Sequence, residues 1–95
     1  MYAIELKPHA QKFIERQAKK VQRQLVAKIE TLQKDPRPAQ SKLLHSDKQI
    51  YRVRSGDYRI IYQIKEDKLL ILVAKVGNSK DVYKNLWRYL QGVSE

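Results

Sequence analysis

Apolar and polar positions alternate weakly over Tyr2–Lys7 (YAIELK), a length that suits one strand. Pro8 follows, as a strand stop or as the first turn of a helix. From there the period changes to 3.6. Ala10, Phe13, Ile14 and Ala18 form one apolar stripe, and Val21, Leu25, Ile29 and Leu32 form a second, each backed by Lys, Arg, Gln and Glu. This predicts two short helices in a hairpin, over residues 9–19 and 21–34. One long helix bent near Lys19–Lys20 is the alternative. Asp35-Pro36-Arg37-Pro38 stops the second helix, because each proline lacks an N–H and disfavours helix in the residue before it. Residues 36–49 carry no clear period, with Leu43 and Leu44 expected under the edge of the domain.

Regular alternation returns at Ile50. Ile50–Arg54 and Tyr58–Ile64 read as two strands around Ser55-Gly56-Asp57, and Lys68–Val76 as a third after a turn at Glu66-Asp67. A two-residue loop, either Ser55-Gly56 or Gly56-Asp57, sets odd positions of one strand opposite even positions of the next. Either choice places Arg52, Arg54 and Arg59 on one face. It places Tyr51, Val53, Tyr58, Ile60, Tyr62 and Ile64 on the other, as a bed for the helices. The third strand is apolar on both faces, as in a strand covered on both sides. Asn78 can cap a last helix with Asp81 three residues on, and Val82, Leu86, Tyr89, Leu90 and Val93 continue a helical stripe beside Tyr83 and Trp87. The expected fold is α+β, in the order βααβββα: an antiparallel sheet with an N-terminal helical hairpin on one face and a C-terminal helix toward the other. Residues 1–95 make a single domain.

The charge balance changes this picture. The 95 residues carry 20 Lys+Arg against 10 Asp+Glu, a formal net charge of +10. Such a surplus favours a polyanionic partner, or an acidic protein that covers it. There is no cysteine, which excludes disulfides and thiolate chemistry. The segment MYAIELKPHAQ lacks the basic and apolar runs of a secretion signal, and Leu69–Ala74 is too short to span a bilayer. A soluble, cytoplasmic protein without a membrane partner is expected.

Little else offers chemistry. His9 and His45 stand apart from any ligand cluster, so no metal is expected. The three glycines, Gly56, Gly77 and Gly92, look like turn and end residues rather than a phosphate loop, and no cofactor is expected. What remains is the arginine cluster with tyrosines nearby. Like charges facing one another across strands are destabilising, and an anion on that face relieves them. Arginine grips phosphate with two parallel hydrogen bonds and stays charged at any working pH. A phenol among cations yields its proton more readily, since the phenolate gains opposite-charge partners. It could take the proton of a ribose 2′-OH, whose oxygen would attack the neighbouring phosphorus. Tyr51, Tyr58 and Tyr62 fall on the core face. Tyr83, near Lys80 at the start of the last helix, is the phenol singled out.

YRVRSGDYRIIYQI followed by LLILVAKVGNSKDVY resembles the RelE branch of the RelE/ParE superfamily of bacterial type II toxins. The arginine-bearing strand pair and the V-G-…-D-V-Y lead-in to the last helix carry the likeness, which covers nearly the whole chain. The resemblance implies an endoribonuclease that cuts mRNA in the ribosomal A site and is held inactive by a cognate antitoxin. Its partners would be that antitoxin, the ribosome and mRNA. It also implies roles for residues. Arg52 and Arg54 match a basic pair, Arg59 matches an arginine at the scissile phosphate, and Tyr83 matches a tyrosine at the ribose. Lys80 falls among the basic residues before that tyrosine. Arg52, Arg54, Arg59, Lys80 and Tyr83 are thus the expected catalytic set, and with Lys84 the RNA-binding set. Members commonly carry His-Arg where this chain has Asn78-Ser79. The usual general-acid candidate is therefore missing: either Lys80 or an arginine substitutes for it, or the chain is an attenuated or mutated toxin, or only a binder. Two other readings remain open: a ParE-like inhibitor of DNA gyrase without nuclease chemistry, and a non-catalytic nucleic-acid-binding module.

Overall fold

The computed structural model describes residues 1–84, 86 and 88. The elements are β1 (Ala3–Leu6), α1 (Pro8–Glu15), α2 (Lys19–Thr31), β2 (Lys42–His45), β3 (Ile50–Ser55), β4 (Tyr58–Lys65) and β5 (Leu70–Asn78). The strands form one five-stranded sheet in the order β1-β5-β4-β3-β2.

Pro8 occupies the first turn of α1, where its missing N–H would have had no helical partner. The chain leaves α1 at Arg16 and re-enters helix at Lys19, so the two-helix reading holds over the bent-helix one. The side chain of Gln22 fastens the two helices together. Its Nε2 donates to the carbonyls of Glu15 at 3.1 Å and Gln17 at 2.9 Å, acceptors that the end of α1 leaves open. The apolar stripes of both helices pack on one face of the sheet. Ala10, Ile14, Leu25 and Ile29 meet Val53, Ile60, Tyr62, Ile64, Ile71, Val73 and Val76 there, with Tyr51 and Tyr58 packed at the margin. Each fully buried side chain of the size of Leu25 contributes about 1.5–3 kcal/mol relative to exposure.

The opposite face carries a smaller cluster of Ile50, Ile61, Leu72, Ala74 and Val82, with Leu44 and Leu86 packed against it. The chain after β5 supplies Val82 and Leu86, as expected of the C-terminal segment. The Asn78 side chain accepts the Asp81 N–H on its Oδ1 at 3.0 Å, as a cap would, but residues 79–84 form turns rather than the helix expected to start there. Successive turns follow as far as Lys84, and Leu86 N–H donates to the Tyr83 carbonyl. The remainder of the expected last helix, including Trp87, Tyr89, Leu90 and Val93, lies outside the described residues.

Three features depart from the alternation. Lys42–His45, expected to be irregular, adds a strand to the order βααβββα by pairing antiparallel with β3. Its Leu43 is 45% exposed rather than tucked under the edge, while Leu44 packs inward. Four residues with a kinked register are too few to show a period. Second, the sheet is antiparallel from β2 through β5, but β1 joins β5 in parallel, Ala3 opposite Leu70. A parallel pair needs a crossover, which the intervening chain with α1 and α2 supplies. Third, β5 is bulged: Ile61 opposes Lys75 while Tyr62 opposes Val73, which leaves Ala74 as an extra residue.

Candidate nucleic-acid interface

The β3–β4 hairpin builds the site. Ser55 pairs with Tyr58, so the loop is the two-residue Gly56-Asp57. Gly56 takes φ +59°, which favours glycine in such a loop. This register sets Arg54 directly opposite Arg59 and Arg52 opposite Ile61. The three arginines therefore share the face that carries the smaller apolar cluster. Tyr51, Val53, Tyr58, Ile60, Tyr62 and Ile64 share the helical face.

The three guanidiniums are held differently. Arg52 is half-buried, and its Nη1 donates to the Tyr83 hydroxyl at 3.1 Å. Its Nε is enclosed and finds no acceptor among the described residues. An unpaired buried donor costs about 1–3 kcal/mol. Arg54 is exposed and leans toward the loop, its Nε donating to the Gly56 carbonyl at 3.1 Å. It also lines a groove with Gln24 and Lys28 of α2. Arg59 is half-buried, with Nη1 donating to the Tyr58 carbonyl at 3.2 Å.

Tyr83 is 40% exposed and reaches Arg52 from the turns that follow β5. Two contacts set those turns in place. Ser79 N–H donates to the Asp57 carbonyl at 3.0 Å, tying the turns to the hairpin loop. Gly77 faces Val82, and a Cβ at Gly77 would stand 3.3 Å from the Val82 Cα and 3.4 Å from its Cβ. Glycine thus lets the chain fold back closely onto the sheet. Lys80 and Lys84 lie exposed on the same turns, and the Lys84 ammonium meets Asp81 at 3.4 Å. So the structure brings Arg52 and Tyr83 into contact, sets Arg54 and Arg59 beside them on the sheet, and carries Lys80 and Lys84 on the segment that bears Tyr83.

Tyr51 and Tyr62 are structural. Tyr62 is fully buried and donates to the Pro36 carbonyl at 2.7 Å. Burial pushes its phenol well above the ordinary tyrosine range, because ionisation there would strand a desolvated charge. Tyr51 stacks on Tyr62 with ring centroids 6.0 Å apart, and its hydroxyl accepts from Arg37 Nε at 3.0 Å. Arg37 also pairs with Glu66. These two contacts raise the Arg37 guanidinium above its already high range.

The residue that sequence reasoning missed is Lys75. It is only 6% exposed, on the arginine face, and its Nζ donates to the Lys84 carbonyl at 2.7 Å. Burial lowers its pKa from the ordinary lysine value, against an opposing push from Asp81. His9 lies across a groove of about 220 Å³ that it shares with Phe13, Lys75 and Asp81. Its pKa is lowered by burial and by the Lys75 and Arg16 charges. Among the described residues no group of His, Cys, Asp and Glu could hold a metal ion, and no helix is long and apolar enough to cross a membrane.

Fold and face together define a small α+β protein that presents a basic sheet face closed by one phenol. A family model for the ParE toxin of type II toxin–antitoxin systems (parDE) matches residues 4–83, and the chain belongs to that family as a RelE-like toxin of a type II toxin–antitoxin system. It is similar to RelE1 of Methanocaldococcus jannaschii, a candidate toxin, with 35% identity over 60 residues covering 60% of this chain and 67% of the relative. Among solved structures, it resembles a chain of the intact E. coli RelBE toxin–antitoxin complex at 27% identity and a TM-score of 0.71. That match covers 83% of this chain and 98% of the other. The archaeal RelE–RelB complex from Pyrococcus horikoshii OT3 shares the fold, with a TM-score of 0.76, 22% identity and coverage of 85% and 98%.

Proposed function

We propose that this toxin is an endoribonuclease that cuts mRNA in the ribosomal A site and so halts translation. The observation that carries the reading is the Arg52 Nη1–Tyr83 hydroxyl contact of 3.1 Å on the face shared with Arg54 and Arg59. A gyrase binder has no need of a phenol fixed by a guanidinium beside two further arginines.

In the proposed reaction the RNA phosphate lies on the arginine face. Tyr83, oriented by Arg52, takes the proton of the ribose 2′-OH. The 2′ oxygen bonds to phosphorus as the bond from phosphorus to the 5′ oxygen breaks. The products are a 2′,3′-cyclic phosphate and a free 5′-OH, whose proton comes from an acid on the protein. Asn78 and Ser79 do not supply one. Lys80, exposed on the turn that leads to Tyr83, takes that role. Arg54 and Arg59 stabilise the charge that builds on the non-bridging oxygens, and Lys84 adds to the hold on RNA. The charge of +10 suits so anionic a surrounding as the ribosome. The RelE relatives of known structure include complexes with RelB antitoxins. A cognate antitoxin, acidic enough to offset this charge, is the proposed protein partner.

The test is primer extension on mRNA from a translating extract, with and without the protein. Cuts in phase with codons are expected. Intact mRNA, together with inhibition of gyrase supercoiling, would overturn the reading in favour of a gyrase-directed toxin. Intact mRNA with salt-sensitive RNA binding would leave a binding module.

A further inference from the structure

Lys75 stands where plain alternation would not put it. Ile71 and Val73 pack on the helical face of β5, and Leu72 on the other. Strict period two would carry Lys75 to the helical face after Val73. The bulge at Ala74 changes the phase, so that Ala74 and Lys75 both fall on the arginine face and Val76 returns to the helices. Bulges near sites commonly re-aim a side chain in this way. Here the re-aimed group is a cation taken almost wholly out of water, which is costly unless it is hydrogen-bonded and has a counter-charge. Lys75 has the hydrogen bond, to the Lys84 carbonyl at 2.7 Å, and Asp81 in the same turns lines a groove with it.

The anchored carbonyl belongs to the residue after Tyr83. We propose that Lys75 is a positioning residue. From the bulge it clamps the turns over residues 79–84 to the sheet and so holds the Tyr83 phenol at Arg52. It touches no reacting atom. As a cause of impaired cleavage, this role rests on the nuclease reading above; as a clamp on the turns, it stands without it.

The experiment compares the full chain with Lys75→Met and Lys75→Arg by hydrogen exchange and, in parallel, by cleavage of mRNA on ribosomes. Methionine keeps apolar length in a buried site and removes both the charge and the donor. Arginine keeps a donor. In Lys75→Met the amides of Val82 and Lys84 should exchange about ten-fold faster or more, while those of β3 and β4 stay within about two-fold. The kcat should fall by about ten- to a hundred-fold, with KM changed by less than about three-fold, as expected when a reacting group is misplaced while substrate binding stays intact. Lys75→Arg should recover part of both. Unchanged exchange at Val82 and Lys84 in Lys75→Met overturns the clamp, whatever the RNA shows. If Lys75→Met fails to fold, exchange in Lys75→Arg decides: protection of Val82 and Lys84 near that of the native chain supports the clamp, and its disappearance alongside an intact β3–β4 pair overturns the donor role. Faster exchange in a protein whose native form leaves mRNA intact sinks the nuclease reading and leaves the clamp standing.

Discussion

Arg54 and Arg59 face each other directly across β3 and β4, and that pairing should be measurable as a repulsion. The perturbation is Arg54→Gln, Arg59→Gln and the double variant, combined in a thermodynamic cycle. Like charges directly opposite on a sheet cost roughly 0.2–1 kcal/mol. Arg54 is exposed and Arg59 half-buried, so solvent screening favours the lower part, about 0.2–0.5 kcal/mol at low salt. For a chain of this size about 4–8 °C of melting temperature accompanies each kcal/mol, so the coupling amounts to roughly 1–4 °C. The hydrogen bonds of Arg54 to Gly56 and of Arg59 to Tyr58 are absent from the respective variants, and their effects cancel in the cycle. Urea unfolding at about 20 mM and 500 mM salt reads the coupling, which should be repulsive and should shrink as the Debye length falls. A saturating single-stranded RNA should cancel it, because phosphate between the two guanidiniums turns repulsion into shared attraction. Each substitution should also reduce the salt slope of RNA affinity by about 0.7 for each phosphate no longer neutralised. A coupling of zero, or an attractive one, at low salt would refute the picture of a strained cationic face that an anion relieves.

Three further outcomes follow from other parts of the structure. Tyr83→Phe removes the hydroxyl that meets Arg52 on an exposed surface, so the urea midpoint should barely move, while RNA cleavage falls by about 10²–10⁴-fold as for removal of a proton-transfer group. Undiminished cleavage would remove Tyr83 from the chemistry. Tyr62→Phe should destabilise by about 0.5–1.5 kcal/mol, because the Pro36 carbonyl is deprived of its buried donor. The pH dependence follows from the raised Tyr62 pKa. The folded chain holds this proton more tightly than the unfolded one, so the stability it provides is complete below the unfolded tyrosine value of about 10 and is lost as pH rises beyond it. Subtracting the Tyr62→Phe profile from the native profile between pH 8 and 11 should isolate that decline. A flat difference would show that Tyr62 is not sequestered.

Much of this molecule was legible from local pattern. The 3.6 period with Pro8 and the Pro36–Pro38 stop defined the two helices. Period two on either side of a glycine turn was enough to place Arg52, Arg54 and Arg59 on one face, since in a hairpin the loop length sets the register and the register sets the face. Asn78 was readable as a cap because its side chain acts on an N–H only three residues away.

Contacts between distant parts of the chain were not legible in this way. The parallel docking of β1 on β5 and the capture of Lys42–His45 by β3 depend on which sheet edges stand open once the helices have packed, and short segments carry no period that announces it. The bulge at Ala74 reverses the phase of β5, so alternation assigns Lys75 to the wrong face, and only the pairing with β4 corrects it. The meeting of Arg52 with Tyr83, 31 residues apart, depends on turns folding back over Gly77. Sequence thus determined which side chains share a surface wherever the alternation ran unbroken, because alternation is a property of a few neighbouring residues. Tertiary structure decided which of them touch, because contact depends on where independent elements come to rest against one another.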